Sequence, residues 1–261
     1  MSFPYRHVLL IGATSGIGCA MADRLVEAGI KVTAVGRRKD RLDEFVRKHG
    51  EQLASAVQFD ITVHEDIPKF AAKIIDSYPD VDCLFLNAGI QLPFKLDDRG
   101  QFDLEPFSKQ MNVNYFSLVA LTHAFLPFLV GKQSPTSIIF TGSNVAIVPA
   151  ASLPAYSASK AALNVFTLSL RDQLRNSNVA VIEISPPPVQ TEIHDYMGKE
   201  VGSKLGMPLD TFADLAFQRL VAGQDQIVIG SIGPAERFNA IIDQRRAAFE
   251  DLAEVMRAQQ K

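Results

Sequence analysis

The sequence predicts a single doubly wound α/β domain built on a parallel sheet. Three observations carry this. Short apolar runs alternate with amphipathic ones along the chain. The apolar runs are rich in Val, Ile and Leu without strict alternation, as strands covered on both faces are. A glycine-rich turn joins the first apolar run to the first amphipathic one. A length of 261 residues fits one domain of this kind.

The elements follow in order. Residues 7–11 (HVLLI) read as a strand closed by Gly12. Over 16–28, Ile17, Met21, Leu25 and Ala28 recur at helical spacing, and Gly29 stops the run. Residues 31–36 form a second strand, 40–49 a helix, and 54–59 a third strand ended by Asp60. Residues 65–77 are helical, with Pro68 in the first turn, and 81–86 form a fourth strand ended by Asn87. The pattern then predicts one long helix over 104–130, a strand over 137–140 and a helix over 156–175. Strands at 179–184 and 226–229 bring the total to seven. Between those two lies 190–208, with three glycines and little periodicity, an insertion-like loop. Over 234–261, Phe238, Ile241, Ile242, Phe249, Leu252, Val255 and Met256 mark an amphipathic helix. It packs on its own sheet or on a second copy. No linker or repeat interrupts the chain, so 1–261 reads as one domain.

Composition excludes several classes. Apolar residues at 47% and charged residues at 21% are those of an ordinary soluble domain. A net charge of −3 without a basic block counts against a nucleic-acid surface. Cys19 and Cys83 are too few for a disulfide framework or a four-ligand zinc site and read as small core residues. Residues 1–11 carry Arg6 and His7 and lack the apolar region of a signal peptide, so a cytoplasmic location is expected. Asp, Glu, Lys and Arg are absent from 110–131 and from 133–159. Asn112, Asn114, His123, Pro127, Gly142, Asn144, Pro149 and Pro154 dilute these stretches too far for a membrane span. They read as protein interior, His123 as a structural residue, and their uncharged polar residues need a role.

Four motifs carry chemistry. Gly12-Ala-Thr-Ser-Gly16-Ile-Gly18 lies between strand and helix, where glycines let backbone approach a pyrophosphate and the helix N-terminus offers free N–H groups. The second strand ends Val35-Gly36-Arg37-Arg38. No carboxylate stands there for a ribose 2′-hydroxyl, and two guanidinium groups suit a 2′-phosphate, so NADP is expected over NAD. Asp60 and Asn87-Ala88-Gly89 sit at strand ends, where open α/β sheets bind ligands. Asp60 suits the adenine amino group; Asn87 serves the ligand or simply satisfies turn backbone. Finally, Tyr156-Ser-Ala-Ser-Lys160 puts a phenol and an ammonium on one helix face, which would lower the phenol pKa, with the Ser143 hydroxyl placed upstream to hold a carbonyl oxygen.

Together these residues resemble the short-chain dehydrogenase/reductase family over nearly the whole chain. The resemblance implies a Rossmann-type sheet of order 3-2-1-4-5-6-7. It implies a catalytic tetrad of Asn114, Ser143, Tyr156 and Lys160. In that family the Tyr is the general acid–base, the Lys binds the nicotinamide ribose, the Ser orients substrate and the Asn holds a relay water. Asn112 is a rival to Asn114. The resemblance adds Thr14, Ser15, Ile17, Ile61, Ala88, Pro186, Val189 and Thr191 to the cofactor-binding set. It also implies a homodimer or homotetramer paired through the helices at 104–130 and 156–175. Asn87-Ala-Gly-Ile-Gln91, Ser185-Pro-Pro-Pro-Val-Gln-Thr191-Glu and Met207-Pro-Leu-Asp210 are similar to the branch named for the oxidoreductase of the teichoic-acid D-alanylation operon (DltE-like). Pro186-Pro187-Pro188 stands where most of the family has Pro-Gly, which leaves the nicotinamide-side geometry open.

Residues 190–208 would be a substrate lid. Ile193, Tyr196, Met197 and Leu205 would line an apolar pocket, with Gln91, Asn144 and Leu153 opposite. His194 is a weaker candidate for a substrate contact. The expected function is NADP(H)-dependent reduction of a ketone or aldehyde, or the reverse oxidation, on a small-molecule substrate, with no metal and no membrane. The alternatives are an NADP-binding sensor or scaffold without turnover, and a cofactor-bound cyclase or isomerase.

Overall fold

In a computed structural model, which describes residues 3–93 and 103–259, the strands are β1 (His7–Ile11), β2 (Lys31–Gly36), β3 (Ala54–Gln58), β4 (Cys83–Leu86), β5 (Thr136–Thr141), β6 (Val179–Ser185) and β7 (Gln226–Val228). They form one parallel sheet in the order β3-β2-β1-β4-β5-β6-β7, as expected. The helices are α1 (Gly16–Glu27), α2 (Lys39–His49), α3 (Ile67–Ser77), α4 (Glu105–Met111), α5 (Ser117–Val130), α6 (Pro154–Gln173), α7 (Lys199–Gly202), α8 (Leu209–Val221) and α9 (Ala235–Ala258). β1, β2, β4 and β5 are buried along most of their length, which explains their unbroken apolar runs, while the edge strand β3 buries only Ala54. One core cluster joins Val8, Leu10, Met21, Leu25 and Phe212; the other joins Leu9, Phe70, Leu118, Phe125 and Leu163.

The strand order reverses between β1 and β4, which pair in parallel from Val8–Cys83 to Ile11–Leu86. Ligands of open α/β sheets bind at the carboxyl ends beside such a switch point. Gly12 and Asn87 stand there.

Three elements depart from the sequence reading. The single helix expected over 104–130 is two α-helices joined by a π turn at Asn112–Phe116. A π turn takes an extra residue into the helical rise and is common at functional sites, but it leaves no mark on apolar periodicity. The rod Glu105–Val130 has the length and apolarity of a membrane span by composition. Here Leu118, Leu121, Phe125 and Leu129 are buried in a core cluster. α8 was absent from the reading; its Phe212, Ala216 and Leu220 pack in the cluster that holds Met21 and Leu25 of α1. The segment 190–208 is more regular than expected, holding a 3₁₀ turn at Glu192–Met197 and then α7. The tail helix ends at Ala258, and residues 260–261 lie outside the described residues. It buries Phe238, Ile242 and Ala253 and leaves Leu252, Val255 and Met256 exposed.

Candidate active site

The glycine loop is fixed by contacts that only glycine permits. Gly12 has φ of +89°, and a Cβ there would lie 2.7 Å from the Ala88 backbone. A Cβ on Gly18 would lie 2.1 Å from the Gly12 carbonyl oxygen. Asn87 Nδ2 donates to that same oxygen at 3.0 Å, and Asn87 Oδ1 accepts from Thr141 Oγ1 at 2.9 Å. Asn87 therefore satisfies the turn, the structural of its two expected roles. Ser15 precedes α1 without a side-chain capping bond, so the helix start keeps backbone N–H groups for an anion.

Two guanidinium groups gather over this loop. Arg38 donates to Thr14 Oγ1 at 3.2 Å and to Ser15 Oγ. Arg41 donates to the Thr14 carbonyl at 3.3 Å. Arg37, expected to share the role, is exposed, and its carbonyl accepts from Gln58 Nε2 at 2.8 Å. Arg41 was missed. Its signal was its place three residues after Arg38, one helical turn on. Asp60 closes β3, with Oδ1 accepting from Thr62 N and Oγ1, and Ile61 beside it is buried. A free helix start, a glycine cradle and two cations fit the phosphates of a dinucleotide.

The tetrad residues come from three places in the fold: the π turn, the segment after β5, and α6. Asn114 lies within the π turn and is fully buried. Its Oδ1 accepts from Ile90 N at 2.8 Å, while Nδ2 donates to Ile90 O at 2.9 Å and Ser159 Oγ at 3.0 Å. The rival Asn112 lies on the outer side of the turn, in a surface groove with Phe116 and His123. Ser143 follows β5, where its Oγ accepts from Val145 N at 3.3 Å. Tyr156 and Lys160 lie on the buried face of α6. Lys160 Nζ donates to the Thr141 carbonyl at 2.7 Å and sits 5.8 Å from the Tyr156 ring centre. A Cβ on Gly89 would meet both Asn114 Oδ1, at 3.4 Å, and Lys160 Nζ, at 3.5 Å, so the Asn-Ala-Gly turn roofs the pair.

Burial sets the electrostatics. It pushes the Tyr156 phenol up to about 12, against the pull of the Ser143 hydroxyl and with a smaller push from Tyr196. The lowered phenol pKa expected from the sequence is thus reversed in the chain by itself. Burial also brings Lys160 down to about 8, opposed by the charge of Glu183. Glu183 was missed, although a charged residue in the apolar run VAVIEIS of β6 was its signal. It is buried, its Oε2 accepts from Asn164 Nδ2 at 2.7 Å, and burial raises its pKa. A Cβ on Gly142 would lie 2.2 Å from its Oε1.

The segment 190–208 lies beside this group, with Tyr196 near enough to Tyr156 to act on its charge. Gln190 N donates to Met207 O at 3.0 Å and Met207 N to Pro188 O at 2.9 Å, pinching its base. The prolines keep their carbonyls useful: Pro186 O accepts from Asn144 N at 3.0 Å. Val189 is buried, and Thr191 packs toward Gly16. Gln91 Nε2 reaches Tyr196 Oη at 2.8 Å and His194 Nδ1 at 3.4 Å. His194 is buried, its pKa is lowered by burial, and its backbone packs on Gly202, so it supports the lid from within. Among the described residues no group of three or more His, Cys, Asp and Glu could hold a metal.

Residues 6–202 match the family model described as short chain dehydrogenase. Over the whole chain and the whole of the relative, the sequence is 33% identical to the "Uncharacterized oxidoreductase DltE" of Bacillus subtilis (strain 168). It is 35% identical to an "NADP-dependent 3-hydroxy acid dehydrogenase YdfG" of Salmonella typhi, covering 69% of this chain and 71% of that one. The fold superposes with a TM-score of 0.80 on a short-chain dehydrogenase from Sphingobium yanoikuyae in complex with NADPH, at 25% identity, over 94% of this chain and 96% of that one.

Proposed function

Because the chain belongs to the short-chain dehydrogenase/reductase family, we propose that it is an NADP(H)-dependent oxidoreductase that reduces a ketone or aldehyde, or oxidises the corresponding alcohol. The observation that carries this reading is the buried cluster of Tyr156, Ser143 and Lys160, roofed by the Asn87–Gly89 turn and faced by Tyr196. A binding module has no use for a buried phenol and a buried amine side by side, since burying each is costly.

Gly12, Gly16, Gly18 and the start of α1 would hold the pyrophosphate, and Arg38 and Arg41 the 2′-phosphate. Asp60 and Ile61 would face the adenine, and Pro186, Val189 and Thr191 the nicotinamide. The cofactor supplies or accepts the hydride when bound. The chain manages the proton. Burial keeps the Tyr156 phenol neutral, so it is poised to donate its proton to a carbonyl oxygen. Ser143 would orient that oxygen. The Lys160 ammonium would then stabilise the phenolate left behind. Asn114 holds the Ile90 backbone and Ser159 in place behind the pair. A protonated donor in the resting site favours the reductive direction, which NADPH also serves.

The same reading places the protein in the cytoplasm as a homodimer or homotetramer. Phe116 and Val165, 52% exposed each, lie on the two helical segments through which the family resemblance implies pairing. The test is turnover. Purified protein should oxidise NADPH with a panel of ketones and aldehydes. Tyr156→Phe should lose about 10²–10⁴-fold in rate while keeping its affinity for NADPH. Wild-type turnover in that variant would overturn the role of Tyr156.

A further inference from the structure

The lid is tied to the phosphate end of the cofactor cleft by a carboxylate. Glu192 opens the 3₁₀ turn of the lid, one residue after Thr191 packs toward Gly16. Its two oxygens take separate cations. Arg38 Nη1 donates to Oε2 at 2.7 Å, and Arg41 Nη2 lies 2.7 Å from Oε1. These are the same two guanidinium groups that bond the glycine loop through Thr14 and Ser15. The side chains are 43%, 39% and 41% exposed for Glu192, Arg38 and Arg41, so a ligand can reach them. The two arginines hold the Glu192 carboxyl below its ordinary range, which keeps it anionic.

We propose that Glu192 is a resident anion in the 2′-phosphate subsite, which competes with that phosphate for Arg38 and Arg41 and thereby tunes the preference between NADPH and NADH. The inference rests on reading the cleft as a dinucleotide site. A guanidinium fork donates to a carboxylate or a phosphate in the same geometry. A phosphate dianion brought beside Glu192 meets a like charge, so it binds only as the carboxylate lets go. NADH carries no anion at that position and leaves both pairs intact. Because Glu192 begins the lid turn that carries His194 and Tyr196, its release also frees the lid at its phosphate end.

The test compares Glu192→Gln and Glu192→Ala with wild type, using the full chain and direct binding of NADPH and NADH by calorimetry or fluorescence at low salt. Both variants should bind NADPH roughly three- to tenfold tighter, the scale of giving up two half-exposed ion pairs. NADH affinity should stay within about twofold. In wild type, adenosine 2′,5′-bisphosphate should speed amide exchange over 192–197, and 5′-AMP should not. NADPH affinity that is unchanged or weakened in both variants overturns the inference. A wild type that prefers NADH, with the preference moved toward NADPH in the variants, overturns the cofactor preference but upholds the role of Glu192. A wild type that prefers NADPH by a margin the variants do not move does the opposite.

Discussion

Adding one methyl group at Gly18 tests whether the glycine loop is a packed joint or a mere turn. The new Cβ would sit 2.1 Å from Gly12 O, 2.4 Å from Asn87 Nδ2 and 2.9 Å from Gly12 C. Gly12 cannot retreat. Its own Cα faces the Ala88 backbone, and its N–H donates to Val35 O at 2.8 Å. The start of α1 must therefore lift from β1, or the Asn87 amide must leave the Gly12 carbonyl. Overpacking against rigid backbone costs about 3 kcal/mol, the upper end of its usual range. The lost Asn87 bond adds about 1 kcal/mol, and the helical preference of Ala over Gly returns about 1 kcal/mol. The net expectation is a loss of about 3 kcal/mol, a large share of a typical 5–15 kcal/mol stability. Urea unfolding reads it as a lowered midpoint with unchanged slope. Gly29→Ala is the control. Gly29 has φ of +79° and no atom within 4 Å of a Cβ, so it bears only backbone strain of about 1 kcal/mol. If Gly18→Ala is no less stable than Gly29→Ala, the packed-joint reasoning is wrong.

Two further outcomes follow from the same geometry. Lys160 falls from 10.5 to about 8 on burial, so the unfolded chain binds more protons than the folded one between those values, and this group's contribution to stability rises with pH across that window. Lys160→Met should therefore gain about 3 kcal/mol relative to wild type at pH 7, less about 1 kcal/mol for the orphaned Thr141 carbonyl. The gain should shrink toward pH 10 in urea titrations, and a difference independent of pH would refute the assignment. Val165→Glu puts like charges on an exposed apolar position of α6 and should lower the mass seen by light scattering if the proposed oligomer pairs there; an unchanged oligomer mass would move the pairing surface elsewhere.

The sheet was legible because β1, β2, β4 and β5 are covered on both faces and so write unbroken apolar runs into the chain. The site was legible where spacing itself is the geometry, as in Tyr156 and Lys160 one helical turn apart. It was not legible where geometry comes from irregular backbone or from distant partners. The π turn around Asn114 leaves no periodic signature. Arg41 looks like any charge on an exposed helix until the glycine loop and Glu192 arrive beside it. α8 is written in the chain by Phe212, Ala216 and Leu220 at helical spacing, but it follows directly on the aperiodic segment 190–208, which blurs where it starts. The phenol pKa was misjudged in sign because sequence gives the neighbour and not the depth of burial.

Depth is what unites the charge-free stretches with the proposed chemistry. Between residues 110 and 159 Lys132 is the only residue among Asp, Glu, Lys and Arg. These stretches bring no further ion to Tyr156, and burial keeps its phenol a neutral donor. The same dry setting would strip the Lys160 ammonium of its proton, and an uncharged amine could not hold a phenolate. Glu183 opposes that loss from β6, at the far side of a gap that Gly142 leaves open for it. The site thus rests on two opposed demands: burial deep enough to keep the phenol protonated, and one buried carboxylate to keep the amine charged. Arg171 adds its own charge near that carboxylate and limits how far its pKa climbs. The polar residues of the interior are in this sense a single electrostatic unit, and changing any one of them shifts the proton balance of the others.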